Sequence, residues 1–266
     1  MNKRLLTMFS ALVPMTLAIA QAPADVQAVD LGLPSGLYWA SCNVGAAYPQ
    51  GYGDYYAWGE TESKDYYGWT TYKYTNGGYG KMTKYCNDAS HGDNGFTDMK
   101  TVLEPEDDAA AANWGNAWRM PTDAEWKELL EQCTWNWIKY STDTFGYVVT
   151  SKTNGNSIFL PAAGYLVDDS RYNVGWRGNY WSSLDEGEAS YARFIDFQSS
   201  KQERTQYGRF YGRSIRAVRE TAIVTDINHT ASAEAAAVQK VLRNEQILIL
   251  RNGVCYDLHG RIITNN

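Results

Sequence analysis

Histidine is scarce in this chain, three residues in 266. His91, His229 and His259 fall in loop-like, linker-like and tail-like stretches. No G-x-S-x-G motif accompanies them, which argues against a Ser or Cys nucleophile paired with a His base. Cysteine is sparse too. Cys42, Cys86, Cys133 and Cys255 have neither C-x-x-C nor any other metal-ligand spacing, which argues against zinc. Four cysteines in an exported chain allow three disulfide pairings. A buried free thiol at Cys133 is as good a reading as a bridge. Positive charge is in deficit, with a net charge of −6, so general nucleic-acid binding is not expected. Beyond the first twenty residues no apolar run reaches the roughly 20 residues of a membrane span, so the mature chain is expected to be soluble. Nothing in the sequence argues for an enzyme.

What is present begins with an export signal. Lys3 and Arg4 precede an apolar run from Leu5 to Ile19, followed by the small-residue patterns Ala18-Ile19-Ala20 and Ala20-Gln21-Ala22. That order describes a secretory signal peptide over residues 1–20. Cleavage after Ala20 is preferred, because a cut after Ala22 would place Pro23 beside it. A membrane anchor fits less well, since Pro14 interrupts a stretch already short for a span. No Cys follows the run, so a lipoprotein start is not expected. Loss of Lys3 and Arg4 takes the nominal −6 to −8 for the remainder.

Aromatic residues are plentiful, 20 Tyr and 10 Trp against 7 Phe. Tyr and Trp join an apolar body to a polar tip, which suits half-buried walls and contact surfaces. Two helices are predicted. Residues Glu106 to Trp114 begin acidic and continue Ala-rich, matching the positive end of a helix dipole. Thr122-Asp123-Ala124-Glu125 has capping-box spacing. Trp126, Leu129, Leu130 and Cys133 then recur as one apolar stripe. Strands are expected at Tyr147–Ser151 and Ser157–Leu160 about an Asn154-Gly155 turn, and again near Tyr191–Phe197 and Ser214–Val218. The fold class is therefore α+β, with early helices and a late meandering antiparallel sheet. Residues 21–28 form a lead, 29–219 one domain and 220–237 a linker rich in Thr, Ala, Asn and Ser. Residues 238–266 form a β tail with a hairpin about Asn252-Gly253.

Several ordered motifs carry a family resemblance: V-D-L-G-L-P-S-G-L-Y-W-A at 29–40, C-N-V-G-A at 42–46, Y-G-D-Y-Y-A-W-G-E-T at 52–61, W-R-M-P-T at 118–122, F-L-P-A-A-G-Y at 159–165, Y-W-S-S at 180–183 and R-S-I-R-A-V-R at 213–219. Together they resemble the Fibrobacter succinogenes major paralogous domain, common in secreted proteins of the Bacteroidetes group. The resemblance implies a C-type-lectin-like fold related to the formylglycine-generating enzyme. R-M-P-T-D-A-E-W at 119–126 is similar to that enzyme's helix-entry motif, and its relatives imply an Arg216–Glu125 pair. The copper-binding cysteine pair of that enzyme has no counterpart here, because Ala217 stands where a reactive Cys is expected. Glu104-Pro105-Glu106 only partly matches the lectin calcium motif, and no W-N-D motif occurs. The final hairpin is similar to tails that direct Bacteroidetes proteins to type IX secretion. The same fold hosts hypervariable binding proteins whose variable residues lie in the C-terminal region.

Among metals, only Ca²⁺ finds oxygen ligands at close spacing, in Asn87, Asp88, Asp93, Asn94 and Asp98, and that loop lacks an EF-hand's terminal Glu. No cofactor is otherwise expected. Paired acids for glycoside hydrolysis would be Glu60 with Glu62, or Asp185 with Glu186 and Glu188. The clearest signal is a charge reversal. Lys201, Arg204, Arg209, Arg213, Arg216 and Arg219 face one acid, Glu203, a local +5 in a chain otherwise strongly negative. Arg forks among aromatic residues are recruited to interfaces and anionic ligands. The expected contact residues are Tyr172, Trp176, Arg177, Arg204, Tyr207, Arg209 and Tyr211, on loops spanning about 168–211. Arg119, Glu125, Trp126, Trp181 and Arg216 are read as scaffold. The leading expectation is a secreted or surface-displayed, non-catalytic module that binds a glycan or surface protein. A structural cell-envelope protein and a glycan-active enzyme are the alternatives.

Overall fold

A computed structural model describes residues 21–183 and 189–220, with the backbone of three further strands between 238 and 256. The expected signal peptide, the linker apart from Glu220, and the acids Asp185, Glu186 and Glu188 lie outside the described residues. The chain divides into two compact units, Met1–Ala222 and Ile223–Asn266.

The first unit is α+β, built of small antiparallel sheets and two helices. Strands β1 (Ala28–Asp30) and β2 (Tyr38–Ala40) join β11 (Val218–Arg219), which ties the start of the unit to its end. The 213–218 stretch is less regular than its alternation predicts. Only Val218–Arg219 lies in a sheet, while Arg213 and Ser214 make single bridges to Tyr56 and Tyr180. A second sheet is the meander β3 (Cys133–Lys139), β4 (Phe145–Ser151) and β5 (Ser157–Pro161). A third has the order β10 (Lys201–Gly208), β9 (Tyr191–Gln198), β8 (Gly178–Trp181). Between them β6 (Tyr165–Val167) and β7 (Ser170–Tyr172) make a short hairpin.

The first helix is shorter than predicted. A 3-10 turn spans Pro105–Asp107, and α1 runs Ala109–Trp114. Asp108 caps it, accepting from the Ala110 and Ala111 N–H groups, which removes two orphan donors. The acids therefore precede the helix rather than fill its first turn. The second helix, α2 (Asp123–Gln132), starts at the predicted capping box: Thr122 accepts from Glu125 N–H while the Glu125 carboxylate receives the Thr122 N–H. It ends a residue earlier than the stripe suggests. Cys133 already belongs to β3, a strand that the helical spacing concealed. Cys133, Trp135 and Trp137 alternate with Thr134, Asn136 and Ile138, a period-2 pattern that pairs with β4.

Two apolar clusters fill the unit. In one, the fully buried Trp126 ring meets Trp39 edge-on at 4.9 Å, and its Nε1–H donates to the Trp181 carbonyl. Trp135, Trp137, Tyr147 and Phe197 close that cluster against β3, β4 and β9. The other surrounds Trp58, Tyr67, Tyr85 and Trp181 beneath the long connection from residue 41 to 104. That connection is anchored by polar groups that have found partners. Asp107 accepts from Tyr74, Lys84 and Tyr85. Asp98 accepts from the Tyr85 and Cys86 N–H groups. Cys42, Cys86 and Cys133 are buried free thiols.

Two glycines place the later strands. Gly164 sits at φ +65, and a Cβ there would lie 2.1 Å from the Tyr172 carbonyl oxygen. Gly178 starts β8 beneath the Phe197 ring, where a Cβ would come within 2.0 Å. Both allow backbone approaches that a side chain would block.

In the second unit, β12 (Val238–Arg243), β13 (Gln246–Arg251) and β14 (Val254–Tyr256) form an antiparallel meander. The predicted hairpin is its second half, and β12 adds a strand that the sequence pattern did not suggest.

Candidate functional site

Strands β8, β9 and β10 turn one face toward a cleft, and the hairpin β6–β7 borders it. Side chains alternate across a strand, so Arg177 and Asn179, Phe194 and Asp196, and Glu203, Thr205 and Tyr207 share that face. With Tyr165, Gln206, Tyr211 and Arg213 they line a cleft of about 330 Å³. Along it runs a row of phenol rings. Tyr191 stacks on Tyr207 at 5.7 Å, Tyr207 meets Tyr211 at 5.1 Å, Tyr211 lies 5.7 Å from Tyr165, and Tyr165 stacks on Tyr172 at 5.7 Å. Tyr172 and Tyr207 are 45% and 49% exposed. Burial pushes the Tyr211 hydroxyl up to about 12, helped by its neighbour Tyr207.

Arg213 lies in the lining of this cleft. It is only 3% exposed, its backbone held by two hydrogen bonds to Tyr56. The guanidinium carbon lies 3.8 Å from the Phe194 ring centre, 4.3 Å from Trp181 and 4.9 Å from Tyr211. Its Nε and Nη1 meet no acceptor. Burial pulls its pKa down to about 9, which leaves it charged near neutrality. Asp196, the carboxylate nearest in character to a counter-ion, is already committed: Arg177 grips it with Nε at 3.1 Å and with Nη2, and Asn179 donates at 2.9 Å. Glu203 pairs with Lys201 at 2.5 Å. A buried charge normally brings its own partner, because desolvation otherwise costs several kcal/mol by rough estimate. Arg213 has only ring faces.

A second cleft, about 350 Å³, is lined by Trp137, Thr142, Asp143, Phe145, Val174, Gly175, Trp176 and Ser199. Trp176 is 78% exposed. Trp176 and Arg177 are chain neighbours, so the turn they end supplies one residue to each cleft.

The seven expected contact residues separate under this geometry. Tyr172, Tyr207 and Tyr211 come together in the tyrosine row, Arg177 lines the same cleft, and Trp176 lines the adjoining one. Arg204 and Arg209 do not belong. Arg204 projects from the opposite face of β10 and pairs with Asp123 in the first turn of α2. Arg209 is 1% exposed, stacked 4.5 Å over Trp58, and donates to the Tyr191 and Tyr85 carbonyls. Neither lines the cleft: Arg209 is committed inside the fold, and Arg204 to a partly exposed ion pair with Asp123. Among the expected scaffold residues, Trp126 and Trp181 are fully buried. Glu125 pairs with Arg119, at 2.6 and 2.8 Å, and not with Arg216. Arg216 is buried among neutral acceptors: Asn43 Oδ1 and the carbonyls of Ala40, Ser41 and Phe159.

Arg213, Tyr165 and Asp196 were missed. The alternation of Arg213, Ile215 and Ala217 against Ser214, Arg216 and Val218 separates the two arginines by side. Nothing local says which side lies beneath tyrosines. In the loop proposed for Ca²⁺, Asp88 turns onto Ser90, Asp93 onto Asn76 and Asn94, and Asp98 onto backbone N–H groups. Among the described residues no cluster of His, Cys, Asp or Glu is arranged to hold a metal, and no helix is long and apolar enough to cross a membrane. Glu60 is buried and held by Lys64 and the Lys73 N–H, and it lines with Glu62 a separate cleft of about 390 Å³.

Comparison with known proteins adds no relative: no family model, curated protein or solved structure matches the chain.

Proposed function

We propose that the chain is a secreted or surface-displayed binding module that grips a glycan or surface protein without covalent chemistry. The observation that carries this reading is the tyrosine row lining a concave cleft. Three of its rings, Tyr165, Tyr207 and Tyr211, line the cleft, with Tyr172 and Tyr191 stacked against two of them, and rigid aromatic anchors of this kind dominate recognition surfaces. The cleft volume falls within the roughly 300–1,000 Å³ typical of small-ligand sites, which favours a sugar unit over a flat protein patch. Both carboxylates lining it are taken up in ion pairs. Neither is poised as an acid or base.

The lectin-like assignment of residues 29–219, the export signal and the type IX-like tail belong to the same proposal and rest on the sequence motifs. An antiparallel α+β unit whose first and last strands pair is compatible with them. The experiment is a glycan array probed with the chain and with its Tyr172→Ala/Tyr207→Ala variant. Wild-type binding that drops at least tenfold in the variant, at unchanged melting temperature, supports the reading. Binding that survives both substitutions moves the site elsewhere, and chemical turnover of a bound glycan overturns the non-catalytic part.

A further inference from the structure

We infer that Arg213 makes the tyrosine cleft selective for a carboxylate-bearing glycan, in which a uronic-acid group supplies the counter-ion that the fold withholds. The inference rests on the binding reading of the cleft and adds the chemical class of its ligand.

Three observations converge. The Arg213 guanidinium is almost fully buried, with Nε and Nη1 lacking any acceptor, yet the residue lines the cleft. Buried polar groups in folded proteins are nearly always satisfied, so an orphaned guanidinium beside a cleft points to an acceptor arriving with a ligand. Next, the fold has neutralised each nearby acid separately. Asp196 is held by Arg177 and Asn179, and Glu203 by Lys201, so neither competes with an incoming anion for Arg213. Last, the same chain shows how it satisfies a buried arginine when it needs one only as a brace. Arg216 meets five acceptor contacts and Arg209 meets backbone carbonyls over Trp58. Arg213 receives no such treatment.

A planar guanidinium matches carboxylate geometry, and its weak hydration lets it sit among aromatic rings. In a low-dielectric wall the attraction for an anion is less screened than in water. Tyrosine rings above it supply faces for sugar rings and hydroxyls for their oxygens. An acidic peptide offers the same carboxylate, but the concave cleft and the phenol-rich walls favour the carbohydrate source.

The test is calorimetric titration of the chain with oligogalacturonate, its methyl-esterified counterpart and a Glu-rich peptide, repeated with Arg213→Met, Arg213→Lys and Tyr207→Ala. The acid oligomer is expected to bind, and the ester to bind about 10- to 100-fold more weakly, the loss expected for one charge-assisted hydrogen bond. Arg213→Met should erase that difference, Arg213→Lys should keep part of it, and Tyr207→Ala should weaken acid and ester alike. Equal binding of acid and ester overturns the carboxylate inference while leaving the cleft as a binding site. Loss of neither ligand in Tyr207→Ala overturns the cleft reading itself. Preference for the peptide, or failure of the acid oligomer to bind, overturns the uronate assignment.

Discussion

Replacing Arg213 by Met should make the protein more stable. The guanidinium is buried with two nitrogens lacking acceptors, a state whose penalty in real proteins runs to several kcal/mol by order of magnitude. Three aromatic rings within 4.9 Å return part of it, about 2 kcal/mol or somewhat more for desolvated cation–π contact. Met keeps an unbranched apolar stem against Trp181, Phe194 and Tyr211, so little packing is lost. A net gain of about 1–3 kcal/mol follows, and at roughly 2–4 °C per kcal/mol for a unit of this size the melting temperature should rise by about 2–12 °C. The control is Arg216→Met. There five hydrogen bonds disappear and the Asn43 Oδ1 is left buried without its donors, so stability should fall by about 3 kcal/mol or more. Scanning calorimetry on the ligand-free chain near pH 7 separates the two. If Arg213→Met destabilises as much as Arg216→Met, the guanidinium is satisfied in the fold and the inference of a missing anion is wrong.

Asp107 provides a pH test. Burial pushes its carboxyl up, but hydrogen bonds from Lys84, Tyr74, Tyr85 and Lys73 outweigh burial and hold it at about 2. A folded-state value below the unfolded one contributes stability that is complete above the unfolded pKa near 4 and lost as pH falls toward 2. Chemical denaturation between pH 5 and pH 2 should therefore show a decline that is smaller in Asp107→Asn, and the variant should be weaker by about 3 kcal/mol at pH 7. Trp126→Ala removes a fully buried indole and its bond to the Trp181 carbonyl, an expected loss of about 3–5 kcal/mol in the same assay. The Cys133 thiol is pushed up to about 11, chiefly by burial, so a thiol reagent at pH 8 should label it only after unfolding. Labelling in the native state would show that the β3 end opens.

Local chemistry was legible wherever a short stretch decides its own conformation. The Thr122–Glu125 capping box, the Asn154-Gly155 turn and the burial of Trp126 could be read directly, because caps, turns and stripes depend on neighbours within a few residues. The same local signals misplaced the end of α2. Trp126, Leu129 and Cys133 satisfy a helical period, while Cys133, Trp135 and Trp137 satisfy a strand period, and only pairing with β4 decides between them. The arginines were harder. Arg204, Arg209, Arg213 and Arg216 lie within thirteen residues and carry one chemistry, yet one meets α2, one lies over Trp58, one braces Asn43 and one faces the cleft. The roles of Arg204, Arg209 and Arg216 are set by partners 81, 124 and 173 residues away in sequence, Asp123, Tyr85 and Asn43, which no spacing rule reaches. The tyrosine residues Tyr172, Tyr207 and Tyr211 were found by composition alone, and Tyr165 was missed because it sits inside an apolar motif.

The central claim, that the cleft holds a carboxylate against Arg213, is tested most directly by following the arginine Nε–Hε resonances of the isotope-labelled chain during titration with trigalacturonate. The signal absent from Arg213→Met identifies the residue. The account predicts that this resonance moves saturably with the acid and stays in place with the methyl ester. A resonance that stays fixed while trigalacturonate binds, or that responds equally to both ligands, contradicts it.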